Sequence, residues 1–470
     1  MEAKAPIQYI EVRCCGKTAP CPKCGKRGQR KQVLPARLVR TIAYKQVVYL
    51  RITVAEYYAR CECSKTFRSH PEGVGPRCLY DNRVREAVIA RIVEDGMDVQ
   101  RLRSAMKRDF LLELSDGFVY DCLHGKVAQL NMAEYRLWVV EHFSGTLCVD
   151  ELHLGRYTLL LATDPLGDFP VAFALVQKND QPHMRRFLAN LKRSGLMPEV
   201  VITDGSELYP KLLAELWPEA RHQLCVFHVI KDINGHVLDA VKRMRRELSR
   251  RGHRGRRRRR GRPTKAQRAY AKRRKKSLKD QATFVFKYRY LIVTRKENLT
   301  DQQRKTLRTM FEYLPGLKTL RTFVERVYQL FAPEQSEHQA YCRRAALLRN
   351  AAFAQVPELA KALRMLDDVR FAKMIAFLAS PAGKRMRTNN HVERANRKLR
   401  YYEKVRYKWR QRRSIVRFLL LAIDHWWREH RSSESKSAPT NSRPRNTPIA
   451  CIHHKTHSTC VAQPPYVVSG

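Results

Sequence analysis

Four apolar stretches decide the architecture: Leu147-Cys-Val-Asp-Glu-Leu152, Tyr157-Thr-Leu-Leu-Leu-Ala-Thr-Asp164, Pro170-Val-Ala-Phe-Ala-Leu-Val176 and Val200-Val-Ile-Thr-Asp204. The first three are short, apolar and divided by the turn formers Gly155 and Asp164-Pro-Leu-Gly167, which predicts a three-strand meander. A helical stretch over 181–194 leads to the fourth strand. Ser206 can cap a helix reaching Trp217, and Gln223-Leu-Cys-Val-Phe-His228 reads as a further strand.

Strand-strand-strand-helix-strand-helix-strand is the order of an α/β ribonuclease-H-like catalytic core, in which the first and fourth strands lie side by side. Asp150 and Asp204 end those two strands and can reach one site. Two-metal phosphoryl transfer needs about three carboxylates converging on ions roughly 4 Å apart, and hard divalent ions choose oxygen ligands. The third candidate is Glu393, in Thr388-Asn-Asn-His-Val-Glu-Arg-Ala-Asn-Arg-Lys-Leu-Arg400. There Asn389, Glu393, Asn396, Arg397 and Arg400 share a helix face by their spacing of three or four, and Arg397 and Arg400 suit DNA phosphates. Mg²⁺ or Mn²⁺ is the expected cofactor. Strand alternation sends Asp150 and Glu151 to opposite faces, so Asp150 is expected to ligate, with Glu151 its competitor. Glu403 is the rival to Glu393.

The flanks read differently. Cys21-Pro-Lys-Cys24 and Cys61-Glu-Cys63 place two pairs of thiols at zinc-ribbon spacing, with Cys14 and Cys15 as alternative ligands, so residues 1–75 are expected to fold around Zn²⁺. Over 80–132, Val84, Val88, Ile89 and Ile92, the break at Gly96, the run Val99 to Met106 and the cap at Ser115 predict a three-helix, helix-turn-helix DNA-binding domain. The core is expected over 140–240, a basic and helical insertion over 241–380, the end of the core, on one long helix from Asn390 to Trp427, over 381–429, and a flexible tail over 430–470. Between Lys242 and Lys276 lie 20 Lys and Arg and one Glu, among them Arg256, Arg257, Arg258, Arg259 and Arg260. That run is expected to stay unpacked without an anion and to grip DNA. Cys451, His453, His454 and Cys460 in the tail resemble ligands by type only.

Composition narrows the partner. The 470 residues carry 92 Lys and Arg against 44 acids, a net charge of +48, which a nucleic acid neutralises. Neither a bilayer-spanning apolar run nor an apolar signal core is read in the chain, so an intracellular protein without membrane contact is expected. In a reducing compartment the 13 cysteines point to metal before disulfides.

At these residues the sequence resembles the ISL3 family of bacterial insertion-sequence transposases. The resemblance rests on the order of Cys-Pro-x-Cys-Gly, the Cys-rich Arg60-Cys-Glu-Cys-Ser-Lys-Thr-Phe67, the helix-turn-helix, Val-Asp-Glu, Thr-Asp-Gly, Lys287-Tyr-Arg-Tyr-Leu-Ile-Val-Thr-Arg-Lys-Glu-Asn-Leu-Thr300 and Asn-x-x-x-Glu-x-x-Asn. It implies an Asp-Asp-Glu transposase that needs Mg²⁺ and acts on double-stranded DNA, both terminal inverted repeats and target. A homodimer on DNA in the cytoplasm, associated with the nucleoid, is expected. In related transposase superfamilies a Cys-x-x-His pair follows the second Asp, and Cys225 and His228 match it as a structural pair. The rivals are a transposase-derived, non-catalytic DNA-binding regulator, which should have lost a carboxylate, and an RNA-binding or RNA-cleaving enzyme on the same core.

Overall fold

The computed structural model describes residues 6–251, 264–405 and 411–437, in two compact units. Of the described residues, the first takes in the chain up to Leu137, the segment His153–Thr158 and those from Arg397 onward. It opens with β1 (Ile7–Cys14), β2 (Thr18–Pro20), β3 (Arg27–Val33), β4 (Arg37–Arg40), β5 (Val47–Tyr58) and β6 (Thr66–Arg68). The 12-residue β5 is the spine: β1 pairs parallel to it, and β3, β4 and β6 pair antiparallel. Three helices follow, α1 (Asn82–Val93), α2 (Val99–Phe110) and α3 (Asp116–Ala128). Each begins on a side-chain cap, with Asp81, Asp98 and Ser115 accepting the N–H of Val84, Arg101 and Phe118. Val84, Val88, Leu102, Met106 and Val119 make their core. A further helix, α4 (Met132–His142), comes before the five-stranded sheet.

The second unit comprises Trp138–Leu152 and Leu159–Asn396. Its elements run β7 (Thr146–Leu154), β8 (Tyr157–Asp164), β9 (Phe169–Val176), α5 (Gln181–Arg193), β10 (Val200–Thr203), α6 (Tyr209–Leu216) and β11 (Arg221–Leu224). The five strands order as β11-β10-β7-β8-β9, with β10 parallel to both β7 and β11. Every residue of β8 and β9 is buried, as in a sheet covered on both faces. After it come α7 (Val226–Arg251), α8 (Lys265–Lys287), α9 (Asp301–Tyr313), α10 (Leu317–Leu330), α11 (Glu337–Leu348), α12 (Ala351–Ala354), α13 (Pro357–Arg364) and α14 (Asp368–Ile375). Capping boxes at Thr264/Gln267, Thr300/Gln303 and Ser336/Gln339 start α8, α9 and α11. Ile233, Val237, Phe323, Phe331, Phe371 and Phe377 belong to the core that gathers these helices. The chain ends its described course with α15 (Asn390–Val405) and α16 (Arg412–Ser437).

Several expectations change. Gln223–His228 is not one strand: β11 stops at Leu224 and α7 starts at Val226, because Val226, Val229, Ile230, Ile233 and Val237 continue at helical spacing and a short apolar run cannot distinguish the two periods. Ser206 does not cap α6, which begins without a side-chain cap. The basic stretch 242–276 is helical on both sides, in α7 and α8; Arg256 to Arg260 lie outside the described residues. The single helix over 390–427 is two helices, and α16, placed by sequence at the end of the catalytic core, packs on α1 and α3 in the first unit and runs on to Ser437. The remaining tail, with Cys451, His453, His454 and Cys460, lies outside the described residues. No helix among the described residues is long and apolar enough to cross a membrane.

Candidate active site and metal centres

The carboxylates come together through strand register. β10 pairs with β7 as Val200 to Thr146, Val201 to Leu147 and Ile202 to Cys148. Two residues beyond the last pair stand Asp204 and Asp150, so equal parity puts both on one face of neighbouring strands, roughly 4.8 Å apart along the ladder direction. Asp204 sits just past β10, where its Oδ1 accepts the N–H of Ser206 at 2.9 Å. The turn passes through Gly205 at φ +101, a conformation for which a Cβ is a steric penalty.

Glu151 joins them. Carboxylate oxygens of Asp150, Glu151 and Asp204 all lie within 4.8 Å of one another, against the expectation that alternation would part Asp150 from Glu151. The ladder between β7 and β10 ends at Cys148, so past it the β10 side of β7 is open, although β8 still pairs with the other side, and a long Glu side chain can reach round that open edge to the two aspartates. Burial, with the other carboxylates adding repulsion, pushes Asp150 up to about 6 and Glu151 up to about 7. Like charges packed without a cation resist ionising, and Glu151 Oε1 is buried without a hydrogen-bond partner. An all-oxygen set of this kind fits a hard divalent ion.

Glu393 is brought beside this group, not into it. It lies on α15, whose start is tied to the sheet: Asn389 Nδ2 donates to the Val149 carbonyl at 3.2 Å, and Asn396 Nδ2 donates to Asp150 Oδ2 at 2.8 Å. Its carboxylate gathers with Cys225 and His228, their ligand atoms within 4.8 Å of one another. Arg397 and Arg400 are exposed while Asn389 and Asn396 are buried, so the predicted common face divides into an inward and an outward part. Sequence reasoning missed a second anchor: His391 Nε2 and Arg394 both meet Asp168, in the turn before β9. The bond from Asn396 to Asp150 was legible only as a spacing of three from Glu393.

In the first unit the two thiol pairs occupy the turns between β2 and β3 and between β5 and β6, and the sulfurs of Cys21, Cys24, Cys61 and Cys63 lie within 4.8 Å of one another. Backbone N–H groups of Lys23 and Cys24 draw the Cys21 thiol down to about 7, while sharing with Cys24 pushes Cys63 up to about 12. Four thiols so crowded cannot all ionise without a cation, and this donor set can hold zinc. Cys14 and Cys15 lie outside the group.

Cationic surface is uneven. In the three-helix segment Arg101, Arg103, Lys107 and Arg108 pair with Asp98, Asp116, Glu113 and Asp109. On α8, Lys272, Arg273, Arg274, Lys275 and Lys276 are all exposed.

Comparison with known proteins adds the family. No curated protein matches the chain. The family model described as Transposase, for the DDE transposases of ISL3 type, matches residues 147–413, more than half of the chain, from the strand bearing Asp150 to beyond the helix bearing Glu393. The chain therefore belongs to the ISL3 family of transposases.

Proposed function

We propose that the protein binds the terminal inverted repeats of an insertion sequence and cuts and joins DNA strands there by metal-dependent phosphoryl transfer, with Asp150, Asp204 and Glu393 as the catalytic carboxylates and Glu151 as a fourth. The observation that carries this reading is the convergence of Asp150, Glu151 and Asp204 with α15 tied onto Asp150 through Asn396. The strand order β11-β10-β7-β8-β9, with β10 and β11 parallel to each other and β10 parallel to β7, supports a ribonuclease-H-like core.

In this reading Asp150, Glu151 and Asp204 hold the divalent ion, Mg²⁺ or Mn²⁺, and Glu393 is drawn from α15. When bound there, such an ion would supply activation of the attacking oxygen and stabilisation of the leaving one. Asn396 holds Asp150 in orientation, and the anchored start of α15 keeps Glu393 within reach of both aspartates. Arg397 and Arg400 face outward, where they meet DNA phosphates as positioning contacts. The four-cysteine group takes zinc as a structural ion, the helices α1 to α3 act as a helix-turn-helix on the repeat, and two copies act together on DNA.

The test is cleavage of a labelled duplex carrying the element's own terminal repeat. Asp150→Ala, Asp204→Ala and Glu393→Ala should each abolish cutting and joining while repeat binding stays within a few-fold of normal, because losing a carboxylate removes repulsion toward phosphate. Near-normal cutting by any one of them removes that residue from the site.

A further inference from the structure

Beside the oxygen cluster lies a second group of a different chemical kind. Cys225 follows β11, His228 stands in the first turn of α7, and Glu393 comes from the first turn of α15, so a Cys-x-x-His pair and a carboxylate from a distant part of the sequence meet at one point. Cys225 is fully buried. Its Sγ accepts the backbone N–H of Asn389 at 3.2 Å, which ties the sulfur to the residue just before α15. His228 Nδ1 lies 3.7 Å from Glu393 Oε1, too long for a hydrogen bond, and both atoms are buried without a hydrogen-bond partner. Two unsatisfied ligand atoms that approach without touching leave a gap close to that across a tetrahedral ion, where ligands at about 2.1 Å stand about 3.4 Å apart.

We propose that Cys225, His228 and Glu393 form a soft-metal site, distinct from the carboxylate cluster, that takes Zn²⁺ or Co²⁺. Thiolate with imidazole selects such ions over Mg²⁺, which avoids sulfur. Three protein ligands leave the fourth position to water, the pattern of an open zinc site. The site also has a regulatory consequence, which rests on the role proposed above for Glu393: a carboxylate bound to zinc beside His228 is withdrawn from the Asp150 cluster. Zinc then acts as a brake on Mg²⁺-supported cleavage, and bridges α7 to α15 while it is bound.

The full-length protein, freed of metal by chelation and reloaded with Zn²⁺, tests the site without reference to activity. Cys225→Ser and His228→Gln should each lose one zinc per chain relative to the wild type, whereas Cys14→Ser should lose none. Co²⁺ titration of the wild type should give a tetrahedral spectrum that loses one component in either variant. Should either variant fail to fold, X-ray absorption of the zinc-loaded wild type decides: fewer sulfurs per zinc than the four of the amino-terminal group, with nitrogen or oxygen present, supports the site. Unchanged zinc content in both folded variants, or a wild-type zinc shell of sulfur alone, overturns it. In the cleavage assay micromolar Zn²⁺ added to excess Mg²⁺ should slow the wild type at least tenfold and His228→Gln much less. Equal inhibition of the two overturns the brake while leaving the metal count to judge the site, and the loss of cleavage in Asp150→Ala is independent of both.

Discussion

At Asp150 burial and neighbouring charge oppose ionisation, while hydrogen bonds from the Glu151 backbone N–H and from the Asn396 side chain support it. A charge-assisted bond of this kind is worth about 1.5–3 kcal/mol, and much of that should appear as orientation. Asn396→Ala is therefore expected to lower the rate constant of strand cleavage by about tenfold or more with little change in repeat affinity, whereas Asn396→Gln should recover part of it. Equal losses from both would point to packing rather than the bond. Glu151 makes a sharper case, since it is either a ligand or a bystander. Glu151→Gln should reduce Mg²⁺-supported cleavage at least tenfold, and a rate within twofold of normal would return the metal to Asp150, Asp204 and Glu393 alone. The turn that presents Asp204 depends on Gly205 at φ +101. Gly205→Ala should cost about 1–2 kcal/mol, read as a lowered melting temperature together with impaired cleavage.

At the scale of elements, two hairpin turns and one helix stand out. The four-cysteine group joins the β2–β3 turn to the β5–β6 turn, and the apolar core beneath it is small: Ala19, Cys21, Ala55, Tyr57 and Phe67. With so small a core, a metal held by the four thiols would supply much of the folding energy. Chelation of the full-length protein should release zinc and open residues 7–68 to limited proteolysis while the catalytic unit stays resistant; equal resistance with and without chelator would show that the metal is dispensable. On α8 the first half presents charge on every side, a pattern unsuited to a packed core and suited to a polyanion. Changing Lys272, Arg273, Lys275 and Lys276 to Gln should weaken binding to any duplex alike. The slope of log affinity against log salt should flatten by up to about 3.6, the value for four phosphate contacts. Loss confined to the terminal repeat would instead make α8 a reader of sequence.

For the whole molecule, a net charge of +48 dominates how it meets DNA before any base is read. Affinity for random duplex should fall by about 10³–10⁵ between 50 and 200 mM salt, and the preference for the terminal repeat should widen over the same range as the sequence-indifferent part is screened. The catalytic unit itself shows why charge and chemistry are kept apart. Acidic groups gather midway along β7 and just past β10 while exposed cations lie on α8, so phosphate can be attracted without the cations pairing with the carboxylates.

The strands of the meander and their order along the chain were legible because each rests on a local signal, apolar runs bounded by Gly, Pro and Asp, and so was the Cys spacing; Asp150, read as ending its strand, stands midway along β7, which runs on to Leu154. The helix cap at Ser115 follows the same logic, one side chain and the next turn's N–H. What the chain text could not decide depends on partners far away in sequence. A strand rule placed Glu151 opposite Asp150, but the ladder to β10 ends at Cys148, and past that open edge a long side chain can reach the other face. An apolar run at Cys225 could continue as strand or begin a helix, and it was packing against the helical core that made it the start of α7. Glu393 was visible as an acid among asparagines and arginines, yet its neighbours, Cys225 and His228, are more than 160 residues away, and only tertiary contact brings a thiol and an imidazole to a carboxylate.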